Sequence, residues 1–439
     1  MDRRIALALG IALAAAVLAP RPAAAQCGGL CLYEVATPQQ GSSYAGAAAT
    51  AQDAATAYLN PAGMSLLPEG ELLMGLYLAG FDINFDSNTN NTTPPPGGFT
   101  NDGGNAGAFL PGLGSYLVLP LADELGFLED LRFGFAMNGI FGGAVDYDKD
   151  WIARTFITSV SLVILNLQPG ISMRVTDWLS LGVSLNAFYA QLAEYRLRAG
   201  PGAGAQTLKA DGADDWAFTY TLGALVEPAE GTRIGVNFRD DTKSVLTGGD
   251  AANFRYEFTL PRGVNVALYQ QLTETVALLL DAGWTDWSVY SQQQITVGPL
   301  DVSIDRNFRD TWRVAGGFQW QAHERVLLQA GYSYDSSPVK DGFRTPDLPL
   351  SEVHRWSVGG QWDYSENLSF GLTYTFQWYA NAKIDQVDLP PGILGVTLDG
   401  RYKDYWGQFV GLNLTWRFCS PIPGVYCPEK TKTTVSKRT

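Results

Sequence analysis

The chain has 439 residues, of which 46% are hydrophobic, 12% aromatic and only 17% charged, with 48 glycines and a formal charge of −14. Disorder needs low hydrophobicity and high charge, and a helical membrane bundle needs repeated stretches of ~20 apolar residues, which do not occur after the N-terminus. The acidic balance argues against nucleic acid as a partner, which leaves a large soluble all-β protein or an outer-membrane β-barrel.

At the N-terminus, Asp2-Arg3-Arg4 precedes an apolar run from Ile5 to Leu18, followed by Pro20, Pro22 and Ala23-Ala24-Ala25. This is the layout of a secretory signal peptide over residues 1–25, cleaved before Gln26. Gln26 stands where a lipoprotein signal has a small residue, so Cys27 is not read as a lipid anchor. Export permits disulfides. The cysteines fall as two close pairs, Cys27/Cys31 and Cys419/Cys427. Three connectivities are open, and local staples are expected over free thiols.

Residues 26–68 do not alternate. Gly41 to Ala49 is small and Ala-rich, and Ala51 to Tyr58 continues in that vein. Asn60-Pro61-Ala62-Gly63 then breaks any helix, since Pro61 forces its predecessor extended and Gly63 tolerates positive φ. Such a compact piece ahead of a barrel has the size to sit inside it as a hatch. A periplasmic leader is the alternative.

Residues 69–418 follow a period of two. Phe133 to Tyr147 begins as a strand and loses its alternation at Gly139, Gly142 and Gly143. Glycines inside a strand mark a bulge, a kink or a close backbone approach. From Trp178, Leu179, Leu181, Val183 and Leu185 alternate with Ser180, Gly182, Ser184 and Asn186. Leu368 to Trp378 and Trp406 to Phe418 repeat the pattern, with aromatics capping the apolar runs. Aromatic girdles around an apolar band, with small and polar residues on the other face, are the signature of a membrane barrel.

The turns agree. Tight polar links at Thr176-Asp177, Glu227–Gly231, Leu272–Glu274, Gln321–Glu324 and Tyr364–Asn367 alternate with long links. Those run over Asp86–Pro111, Ala199–Asp215, Gln292–Arg306, Ser336–Leu350 and Ala382–Gly400. Short periplasmic turns and long extracellular loops are expected of such barrels. The segments count to roughly fourteen, and an even number puts both ends of the barrel in the periplasm. Residues 419–439 then form a periplasmic extension.

The strand parity through Ser180 and Asn186 carries Glu194 and Arg196 into the lumen. That of Gln319 and Gln321 does the same for Arg309 and Arg313. A lumen-facing Arg can hold a carboxylate through paired N–H donors, or it can serve a structural ion pair such as Glu194 with Arg196. No catalytic signature stands out. The chain has two histidines, His323 and His354, expected at opposite ends of the barrel, so no joint metal site is expected. His354 beside Ser351 or Ser357 is the sole local Ser–His pairing, and a solvated rim histidine is the better reading.

The ordered motifs Tyr44-Ala45-Gly46, Ala51-x-Asp53-Ala54, Asn60-Pro61-Ala62, Leu260-Pro261, Trp284-Thr285-Asp286-Trp287-Ser288, Arg309-Asp310, Trp312-Arg313-Val314-Ala315 and Asp335-Ser336-Ser337-Pro338 resemble the FadL/TodX family of outer-membrane transporters for long-chain fatty acids and hydrophobic compounds. The resemblance spans nearly all of the mature chain. It implies a barrel of about fourteen strands plugged by an N-terminal hatch that carries the Asn60, Pro61 and Ala62 motif. It implies basic residues near a ligand headgroup at Arg196 and Arg309. It further implies a lateral opening in the wall, with Gly139 and Gly142 at the matching positions and Gly143 beside them. The chain departs from the family in its Cys27–Cys31 start and in the 21 residues after Phe418.

These readings converge on an outer-membrane channel of a Gram-negative bacterium, monomeric, without cofactor or enzyme activity. It would sit in lipid and lipopolysaccharide and take up a hydrophobic small molecule passively. A structural or adhesion barrel and a general porin are the alternatives.

Overall fold

The structure is a computed structural model that describes residues 33–93, 101–121, 131–199, 206–249, 253–297, 300–389 and 396–418. The signal peptide and the C-terminal extension lie outside these residues. So do all four disulfide candidates, Cys27, Cys31, Cys419 and Cys427, and their pairing as two local staples stays an expectation drawn from the sequence.

Fourteen strands close an antiparallel barrel. They are β1 (Gly70–Ser87), β2 (Phe109–Pro120), β3 (Leu131–Asp146), β4 (Ser159–Thr176), β5 (Leu179–Ala199), β6 (Ala213–Ala229) and β7 (Thr232–Arg239). The ring continues with β8 (Gly263–Gln271), β9 (Val276–Thr285), β10 (Thr311–His323), β11 (Val326–Asp335), β12 (Glu352–Asp363), β13 (Leu368–Ala380) and β14 (Val396–Phe418). Each pairs with its sequence neighbour. The ring shuts between β1 and β14, in a register that sets Gly70 opposite Phe418.

The side chains sort as the alternation requires. Leu181, Val183, Leu185, Leu222, Phe318, Val358, Leu372 and Leu412 are exposed on the outer face. Ser180, Ser184, Asn186, Gln319, Gln329, Thr373 and Thr375 are buried inside. An apolar exterior around a polar interior is the inverse of a soluble sandwich and fits a hydrocarbon solvent. Exposed Trp178, Trp320, Trp362 and Trp416 belt the turn end, while Trp216, Trp356 and Trp378 belt the loop end.

Several expected loops are extended structure. Gln206–Ala210, Gln292–Val297, Leu300–Asp305 and Lys383–Leu389 are such strands, and with Thr242–Gly248 and Arg255–Leu260 they carry the sheet beyond the wall on the loop side. Their Gly- and Asp-rich flanks hid short alternating cores such as Gln293 and Ile295.

The lumen is filled by residues 33–67. A 3₁₀ turn at Pro38–Ser42, single helical turns at Ala47–Thr50 and Thr56–Leu59, and a second 3₁₀ turn at Pro61–Leu66 fold into one buried plug. The wall receives it through glycine. Gly75 faces Ala36, Gly134 faces the Met64 sulfur, and Gly182 faces the Pro61–Ala62 peptide. Gly235 faces Ala48, and Gly331 faces Ser42. A Cβ at any of these positions would collide with the plug, so small residues on the inner face set how closely it seats.

Candidate functional site

Asn60 shows why the plug motif has its composition. Its side-chain oxygen accepts from the Ala62 amide at 3.1 Å and so caps the turn that Pro61 opens. Its amide nitrogen donates to Ala48 at 2.7 Å and to the β6 carbonyl of Ala224 at 3.0 Å. The plug meets the wall again where Ser65 reaches Ser180 (2.7 Å) and where the Ala54 amide donates to Glu71 (2.6 Å). The second Glu71 oxygen accepts from Arg417, one residue short of the end of β14. Burial pushes the Asp53 carboxyl above the usual carboxylate range, opposed by the hydrogen bond from Gln39.

Above the plug lies a cavity with a mainly apolar lining. Tyr256, Phe258, Leu260, Trp287 and Tyr290 line it on the loop side, and Val160, Leu162 and Ile164 along β4. Glu34 from the plug, with Arg355, Gln377 and Tyr379 from the wall, also face it. The loop that carries Asp347 to Leu350 completes it. Fully buried Arg306 pins this loop. Its guanidinium holds Asp347 at 3.0 Å through one nitrogen and engages both carboxylate oxygens, while also reaching Gln293 and Thr345.

One side of this cavity coincides with a break in the wall. Pairing between β2 and β3 runs from Pro120↔Arg132 to Gly114↔Asn138 and stops. Beyond it, β2 residues Phe109 to Leu113 pair with β1, and β3 residues from Gly139 onward pair with β4, across a register shift at Gly139/Phe141. The Asp146 amide closes the outer end of the break by donating to Ala106 at 3.1 Å. Five unpaired residues on β2 amount to about 16 Å at ~3.3 Å per residue. Leu110 from one edge and Gly143, Ala144 and Val145 from the other line the cavity. Gly139 and Gly143 have open space where a side chain would stand. Gly142 pairs with Val163 along β4.

The two arginines expected at the ligand headgroup are placed differently. Inward parity along β5 holds through Ser184, Asn186, Phe188, Ala190 and Leu192, all buried. A bulge at Ala193, seen as a register shift against β4, then inverts it. Tyr195 is buried in consequence, and the Arg196 side chain is 41% exposed. Arg196 pairs with Glu194 at 3.1 Å and with Asp211 at 3.7 Å, so the ion-pair alternative describes its contacts. Arg309 is exposed as well and donates to the Ser337 carbonyl at 3.0 Å. Residues 306–310 are not strand, so parity counted back from Gln319 fails before reaching it. Neither arginine lines the cavity. Arg313, inside β10, does point inward and is buried.

His354 stacks in the loop-end aromatic belt against Trp356 and lies 2.8 Å from the Tyr332 hydroxyl. Ser357 instead bonds Ser43 and Thr375 inside the barrel.

Of a row of buried charges on neighbouring strands, sequence reasoning turned Arg313 inward and missed Asp281, Asp335 and Arg355. A signal for the row existed. Asp281 interrupts the run Val276-Ala-Leu-Leu-Leu, and an ionisable residue at membrane depth marks a functional or paired position.

Residues 18–418 match the model of the outer membrane protein transport protein family (OMPP1/FadL/TodX). The chain is 26% identical to outer membrane protein P1 of Haemophilus influenzae, over 88% of this chain and 94% of that protein. It is 21% identical to the long-chain fatty acid transport protein of Escherichia coli, over 82% and 89% respectively. Among solved structures, a Pseudomonas aeruginosa FadL homologue superposes with a TM-score of 0.78 at 21% identity, covering 89% of this chain and all of that one.

Proposed function

The chain belongs to the OMPP1/FadL/TodX family of outer membrane transport proteins, and from that premise we propose that it is a passive channel for hydrophobic small molecules, long-chain fatty acids or aromatic hydrocarbons. The solute enters at the loop end, lodges in the apolar cavity and leaves sideways into the bilayer between β2 and β3. The observation that carries this reading is that one cavity touches both edges of the break in the strand ladder.

The polar lipopolysaccharide leaflet resists apolar solutes, and a water-filled pore does not favour them over water. A side exit never requires the solute to re-enter water. The plug blocks the straight path, and its displacement gates the cavity floor. Its backbone favours such movement, because Ala36, Ser43, Tyr44 and Ala51 all hold positive φ, a conformation that costs non-glycine residues about 1–3 kcal/mol each. A lumen so filled is a poor conduit for hydrated solutes, which speaks against a general porin. The protein acts as a monomer, with lipopolysaccharide around its loop-end aromatic belt. The test is uptake of labelled oleate and labelled toluene by cells with and without the gene. Gene-dependent uptake of either supports the channel, and equal rates with and without the gene for both solutes reject it.

A further inference from the structure

Five buried charges run from the plug across neighbouring strands of the wall. Glu34 lies 3.4 Å from Arg355 on β12, and Arg355 also binds Asp335 on β11. Asp335 is 4.0 Å from Arg313 on β10, which bonds Asp281 on β9 at 2.7 Å. The Tyr33 ring packs under both guanidiniums, at 4.5 and 5.2 Å. Three carboxylates thus face two guanidiniums, so the ionised row carries one excess negative charge in a site shielded from water.

The two ends of the row differ. At Asp281 the Asn265 amide and Arg313 donate to the same oxygen, and Oδ2 is left without a partner among the described residues, but Asp281 does not line the cavity. At the other end, Glu34 lines the cavity, and its Oε2 has no hydrogen-bond partner among the described residues. Leaving a buried acceptor unpaired is costly, and a charged one more so. A pure hydrocarbon in the cavity would leave it so. Arg355 also lines the cavity, and its Nε has no hydrogen-bond partner among the described residues, so a hydroxyl can both accept from Arg355 and donate to Glu34, whereas a carboxylate can only accept and meets the Glu34 charge. Asp347, the cavity's other acid, is already neutralised by Arg306.

We infer that the cavity selects hydrophobic molecules bearing a neutral hydroxyl, such as alkylphenols or fatty alcohols, over the matching carboxylates, with the hydroxyl donating to Glu34. This rests on the channel reading above and sets a hydroxyl-bearing solute in place of its fatty acid or hydrocarbon.

The test measures binding of 4-propylphenol, propylbenzene and 4-propylbenzoate to the full mature chain in detergent at neutral pH, by titration calorimetry. Propylphenol is expected to bind about tenfold more tightly than propylbenzene, the scale of one hydrogen bond to a charged group, and propylbenzoate weakest. In Glu34→Gln the phenol advantage shrinks and benzoate binding strengthens. Benzoate binding as tight as phenol in the parent overturns the inference, as does an order that Glu34→Gln leaves unchanged. If propylbenzene and propylphenol bind equally and both are taken up by cells, the hydroxyl selection fails while the channel stands. If none of the three binds or is taken up, both fail.

Discussion

Both flanks of the barrel take the plug against glycine, Gly331 on one and Gly75 on the other, but they differ in the charge and strand pairing that hold it. Along β9 to β12 the wall is fully paired, and buried ion pairs tie its inner face to Glu34 and, through Arg313, to the Ser43 carbonyl. Along β1 to β3 the plug rests against Gly75, Gly114 and Gly134, with Glu71 accepting from the Ala54 amide, and the ladder between β2 and β3 is open for part of its length. Charge fixes a segment in one geometry, because removing one partner leaves the other buried and unpaired. Glycine contacts impose closeness without direction. The flank with the ion-pair row therefore acts as the anchor, and the flank with the open ladder is where plug and wall can shift against each other with least loss.

The largest effect expected from this contrast comes from removing the plug. Deletion of residues 33–68 should convert a nearly closed barrel into a porin-like aqueous pore, read as single-channel conductance in planar bilayers. Unchanged conductance would mean that the lumen is sealed by something else.

Next in size is the anchor. Arg355→Ala strands Asp335 and Glu34 without their shared guanidinium and should cost about 3–5 kcal/mol. Unfolding midpoints in urea, followed by the heat-dependent gel shift of the folded barrel, would show it. A loss near zero would mean that the row does not hold the plug.

The smallest effect belongs to the loop-end arginines. Arg196→Gln breaks pairs that are well exposed and should change stability by about 0–1 kcal/mol. Arg309→Gln should behave alike. For either variant, the affinity for a fatty acid should equal that of the parent, since neither side chain lines the cavity. A marked loss of acid binding, with methyl ester binding unaffected, would restore the headgroup role that their family positions suggest.

The same contrast separates what was legible in the sequence from what was not. A period of two, Trp at the ends of apolar runs and short turns such as Thr176-Asp177 encode the wall, because lipid on one face dictates every second residue. The plug was visible as a stretch without that period. Arg196 was misplaced because a single extra residue, Ala193, inverts the faces of β5, and one alanine among many carries no mark of a bulge. Arg309 was misplaced because parity does not survive the non-strand stretch from Arg306 to Asp310. The charged row joins Glu34 to residues some 300 positions later in the chain, and only closure of the barrel brings them together. The glycines were legible as small inward residues, and the plug that presses on them explains why they are small.

The most direct test of the lateral route is Gly143→Phe. Gly143 lines the cavity at the unpaired edge of β3, with open space where the new side chain would stand. The variant should therefore fold and insert as the parent does. Uptake of the labelled solute should be measured with both proteins at equal abundance in the outer membrane. A fall to a small fraction of the parental rate, far beyond any loss of solute affinity measured on the purified variant, is the predicted result. Parental uptake by the inserted variant would contradict a side exit and send the solute down the lumen past the plug.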